Sequence, residues 1–132
     1  MGQIYNITLL AIDNYRYTLL TKALRDVGFS VDKNEANNVR LIRPSDQMKT
    51  APIINSLFTT HSLVLGDNPL MRWAIHNACV ITSQAGNMTY GKIEGKSRKT
   101  DPWMALVQAM CISIDLPDGG EEVFDFGKVF TY

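Results

Sequence analysis

Ile4-Tyr-Asn-Ile-Thr-Leu-Leu-Ala-Ile12 is a β-branched and apolar run too continuous for an edge strand facing water, and it predicts a strand buried on both faces. Asp13 ends it abruptly. Asn14 then opens a predicted helix in which Tyr17, Leu20, Ala23, Leu24 and Val27 share a face, with Gly28 as the stop. After a polar, turn-rich segment from Asp32 to Asn38, Val39-Arg-Leu-Ile-Arg43 alternates briefly until Pro44, which predicts a second, shorter strand. Ser45 and Asp46 are placed to cap a helix that collects Met48, Ile53, Leu57 and Phe58, with Pro52 at its start or breaking it. Strand, helix, strand, helix is an α/β pattern with parallel pairing.

Two roles stand open for Asp13. An acid at the carboxyl end of a buried strand lies where open α/β sheets bind ligands, and the same side chain could cap the following helix.

Beyond His61, Asn68 and Pro69 predict a helix start, and Leu70, Trp73 and Ala74 with Asn77 run down one side, Trp73 being assigned to the core. Ala78 to Thr82, a Gly86-Asn87 turn and Met88 to Ile93 form a predicted hairpin. The basic segment Lys92-Ile-Glu-Gly-Lys-Ser-Arg-Lys99 then leads into a helix whose Trp103, Leu106, Val107, Met110 and Ile114 recur at three- and four-residue steps. Pro102 suits the first turn of that helix, which makes Asp101 the expected N-cap. Asp101 also follows Lys96, Arg98 and Lys99, where a phosphate could be held and the acid could meet a metal.

A chain of 132 residues is the size of one domain. Its 13 basic and 13 acidic residues cancel, so DNA binding would have to rest on local asymmetry such as the cations of Lys92 to Lys99. Cys79 and Cys111 fit no metal spacing and read as buried free thiols, and His61 and His76 lack partners at zinc-ligand spacing. No apolar run approaches the roughly 20 residues that span a bilayer, which leads us to expect a soluble, cytoplasmic protein.

Gly66-Asp-Asn-Pro-Leu-Met-Arg-Trp-Ala-Ile-His-Asn77, followed by Gly86-Asn-Met-Thr-Tyr-Gly-Lys-Ile-Glu-Gly-Lys-Ser-Arg-Lys-Thr-Asp-Pro-Trp-Met-Ala105, closely resembles the carboxyl-terminal end of tailed-phage terminase large subunits. The pattern of that family runs Asn-Pro, Arg-Trp, Asn, a hairpin, Lys-Ser, and an Asp opening a helix with Ala-Leu. Ala11-Ile-Asp13, with its helix and Gly28, resembles the middle motif of the family. The resemblance covers residues 4 to 115, and the ordered run of motifs is more specific than any one of them.

The resemblance implies a ribonuclease H-like fold and a nuclease that cuts concatemeric double-stranded phage DNA around head filling, in the cytoplasm of a bacterial host. In that family three acids hold two divalent cations, Mg2+ or Mn2+. By motif Asp13 matches the second acid and Asp101 the third, with Lys92, Lys96, Arg98 and Lys99 as the phosphate grip. The first acid and the ATP-hydrolysing motor of the family lie before the segment matched here, and no Gly-x-x-x-x-Gly-Lys-[Ser/Thr] loop occurs. The expectation is therefore a partial nuclease domain over residues 1–117, truncated at its amino-terminal strands, with a tail over 118–132. Implied partners are the ATPase part of the large subunit, the terminase small subunit and the portal. The alternative is a non-catalytic fragment that binds DNA or a packaging partner.

Overall fold

A computed structural model describes residues 7–94 and 98–113 of the chain. Over these residues the protein is a mixed α/β structure with four helices and two small two-stranded sheets. In chain order they are β1 (Leu10–Ile12), α1 (Tyr17–Asp26), β2 (Val39–Leu41), α2 (Pro44–Thr59), α3 (Pro69–His76), β3 (Ala78–Thr82), β4 (Met88–Lys92) and α4 (Asp101–Cys111).

β1 and β2 pair in parallel, Leu10 opposite Val39 and Ile12 opposite Leu41, as the strand–helix–strand pattern predicts. The first strand is shorter than its apolar run. Residues 7–9 are not in the ladder, and residues 4–6 lie outside the described residues. With one partner strand the ladder secures only Leu10–Ile12, and full burial on both faces is reached only at Ile12.

α1 starts at Tyr17 rather than Asn14, after Arg16 in the left-handed conformation. Its end is as expected. Gly28 takes a φ of 89°, Phe29 N–H donates to the Leu24 carbonyl and Gly28 N–H to that of Arg25, the double bond of a left-handed helix stop. Its apolar face is not buried: no residue of α1 is buried, and Leu19, Leu20 and Val27 are exposed. The sequence period is helical, yet among the described residues no other element packs extensively against that face.

α2 corrects two expectations. Its first turn is closed by Asp46, whose carboxylate accepts the Arg43 N–H at 2.8 Å, while Ser45 makes no such bond. Pro52 lies inside the helix without ending it. An interior proline removes one helical hydrogen bond and costs about 3 kcal/mol. The neighbours Ala51 and Ile54 are fully buried, and burying an aliphatic side chain such as Ile54 returns about 1.5–3 kcal/mol. The buried face is thus Ala51 and Ile54, and Ile53 is exposed.

The core joins Ile54 of α2, Met71 and Ala74 of α3, and Trp103, Leu106 and Val107 of α4. α2 and α4 run antiparallel. Phe58 near the end of α2 lies 5.7 Å from Trp103 at the start of α4, and Tyr90 of β4 meets the same indole edge-on at 5.2 Å. At the other end Asp46 and Thr50 share a cleft of about 430 Å³ with Cys111 and Ile112. Ile114, expected on the face of α4, lies outside the described residues.

α3 is capped as expected, Asn68 accepting the Met71 N–H at 3.0 Å. Trp73, however, is not core: it stands 46% exposed, because the helix turns Met71 and Ala74 inward instead. β3 and β4 form the expected antiparallel hairpin, with Ser83 N–H bonded to the Asn87 carbonyl and Gly86 at a φ of 83°. No helix of the described residues is long and apolar enough to cross a membrane.

Candidate functional site

The segment that carries the cations is anchored at Asn77. This residue ends α3, its N–H accepted by the carbonyls of Trp73 and Ala74, and its own carbonyl accepts the Ile93 N–H at 2.9 Å just past β4. The side chain, 1% exposed, donates from Nδ2 to the carbonyl of Lys99 at 3.0 Å and accepts from Arg98 Nη1 at 3.3 Å. One residue therefore fastens, through its main chain, the end of a helix and the end of a hairpin and, through its side-chain amide, the entry to α4. The signal in the sequence was slight, an Asn directly after an apolar helix and before a strand, and its hub role was not legible there.

Thr100 follows, buried, and its carbonyl accepts the Met104 N–H at 2.9 Å. Thr100 is thus the N-cap of α4, which corrects the expectation for Asp101 by one position. Asp101 is the first helical residue. Its carboxylate is exposed and has no hydrogen-bond or ion-pair partner among the described residues. A carboxylate in the first turn is favoured by the helix dipole by about 0.3–1 kcal/mol.

The cations differ in their engagement. Arg98 also pairs with Glu94 at 3.5 Å, which offsets part of its charge. Lys99 is exposed, and its ammonium has no partner among the described residues. Lys92 is exposed at the last position of β4, opposite Ala78. Lys96 lies outside the described residues.

Asp13 follows β1 and is exposed. Its Oδ1 accepts the Tyr15 N–H at 3.0 Å, so it shapes the turn before α1 and is not the N-cap of that helix, which is Arg16. It stands beside the junction from which α2 departs, since the Ile42 N–H bonds the Ile12 carbonyl. Asp101 stands at the end of α4 away from that junction, because α4 runs antiparallel to α2 and rises about 15 Å from Asp101 to Cys111. Among the described residues no three of His, Cys, Asp and Glu are grouped so as to hold a metal ion. Two carboxylates set apart in this way do not by themselves fit a two-cation centre, whose metals sit about 3.5–4 Å apart, and no hydrolytic step is derived through them.

The remaining candidates are structural. His61 takes a φ of 54° as the left-handed residue that ends α2, with Ser62 N–H returning to the Leu57 carbonyl. Cys79 and Cys111 are free thiols, both half-buried. Burial, with a smaller push from Asp46, raises the Cys111 thiol above its ordinary value despite a bond from Thr50. Burial likewise raises the Tyr90 phenol, whose hydroxyl donates to the Ala51 carbonyl at 3.3 Å. The tail over 118–132 lies outside the described residues. Compared with known proteins, the chain matches no family model, no curated protein and no solved structure.

Proposed function

We propose that the chain is the DNA-holding part of a divalent-metal-dependent phage packaging endonuclease, a terminase nuclease of the ribonuclease H-like fold. The observation that supports this best is the anchoring of Arg98 and Lys99 by Asn77 directly before the exposed carboxylate of Asp101. Two cations fixed at one residue, Lys99 through its main-chain carbonyl and Arg98 through part of its guanidinium, can grip phosphates without reading sequence. Asp101 beside them is free to contribute one metal ligand, and a two-cation site would need further carboxylates from outside the described residues. The parallel β1–β2 pair with Asp13 at its carboxyl end is compatible with the sheet edge of such a nuclease. Double-stranded phage DNA, the motor part of the large subunit, the small subunit and the portal are the partners this reading carries.

A second reading is a non-catalytic fragment that binds DNA or a packaging partner, which needs no metal centre; among the described residues no three of His, Cys, Asp and Glu are grouped to hold one. The first reading, and the second in its DNA-binding form, require duplex retention by the loop. Filter retention of linear duplex DNA across a salt series should show affinity falling with salt, and the Arg98→Ala, Lys99→Ala double variant should flatten the log–log slope by about 2 units. Equal slopes would reduce the loop to a solvated connection and overturn DNA holding in either reading.

A further inference from the structure

Leu70, Trp73 and Asn77 recur at steps of three and four along α3 and so share one side of the helix. At Asn77 that side is buried, and the side chain there holds the Lys99 carbonyl and the Arg98 guanidinium. One turn earlier, Trp73 at 46% and Leu70 at 58% exposure stay in water, although Ala74, one turn after Leu70, and Met71 are buried. The exposed indole therefore lies one helical turn before the residue that holds Arg98 and Lys99.

A flat aromatic one helical turn from the residue that fixes two cations is complementary to an unpaired nucleotide. The phosphate meets the cations and the base meets the ring face, an arrangement that tolerates any sequence because every base has such a face. Paired bases inside a duplex have no free face to offer. We propose that Trp73 is a base-stacking residue and that, with Arg98 and Lys99, it takes single-stranded DNA. This rests on the DNA-holding reading above and extends it from duplex to unpaired strand.

The chain carries its own reporter, since of its two tryptophans Trp103 is buried and only Trp73 is accessible to a ligand. Titration with a short oligothymidylate should quench the emission of Trp73. Trp73→Ala should weaken oligothymidylate binding about tenfold, within the range of one stacked base, while blunt duplex retention changes less than about twofold. Trp73→Phe should keep most of the affinity, and Trp73→Leu, which keeps apolar area without a ring, should not. Trp103 emission and circular dichroism check that each variant is folded. Unquenched wild-type emission at saturation, or unchanged oligothymidylate affinity in Trp73→Ala, would overturn the stacking role with duplex holding intact. Equal loss of both DNA forms in Trp73→Ala would overturn it too. Failure of the wild-type chain to hold either form would instead remove the DNA-holding reading itself.

Discussion

The Nδ2 of Asn77 donates to the main-chain carbonyl of Lys99 at 3.0 Å, across 22 positions of sequence. This bond sets the direction in which the chain enters α4, and with it the placement of Arg98, Lys99 and Asp101. Removing the amide in Asn77→Ala leaves the part-buried Lys99 carbonyl without its donor and a guanidinium without one acceptor. A loss of about 1–3 kcal/mol in urea unfolding is expected, together with weaker duplex retention. Asn77→Asp should also destabilise, since a carboxylate facing the Lys99 carbonyl cannot donate. Wild-type stability in both variants would show that the loop is positioned by other contacts.

Asp101 has an exposed carboxylate with no partner among the described residues, so its removal should cost little stability and should change metal affinity instead. Manganese titration of the chain is expected to show weak binding, weaker again in Asp13→Asn with Asp101→Asn, while duplex retention stays close to wild type. Unaltered manganese binding in the double variant would remove both acids from the metal-binding proposal.

Pro52 occupies the interior of a 16-residue helix. Pro52→Ala restores a backbone donor toward Met48 and relieves the ring clash, against a gain of unfolded-chain entropy of about 0.4–1 kcal/mol. The net expectation is a stabilisation of about 1–3 kcal/mol in thermal or urea unfolding. A drop in stability would mean that the ring itself is packed against a neighbour.

Burial raises both the Cys111 thiol and the Tyr90 phenol, so each group holds its proton more tightly in the folded chain than in the unfolded one. As pH rises past the ordinary thiol value of about 8.5, the unfolded state loses its proton first and gains relative to the folded state. Stability should be fully present below that pH and decline above it, with a second decline as the phenol range near about 10 is entered. Urea midpoints measured from neutral to alkaline pH test this. Cys111→Ala should flatten the first decline and leave the second.

The sequence by itself determined the parallel strand–helix–strand unit, the Gly28 stop, the Asn68 cap, the β3–β4 hairpin and the apolar face of α4. Each depends on a local period, a backbone conformation or a side chain bonding within a few residues of itself, and such terms are readable without knowing what packs where. The tertiary structure alone decided the rest. Trp73 has the same composition and helical period as a core residue, but Met71 and Ala74 face α4 and leave it in solvent. Pro52 survives inside α2 because the neighbouring Ala51 and Ile54 are buried, a compensation that arises from another element. Asp101 gives up the cap to Thr100, whose buried place is set by the packing of the loop. The role of Asn77 was hidden for the same reason. Its partners lie more than 20 positions away, and a hydrogen bond across that span exists only once α3, the hairpin and α4 have met.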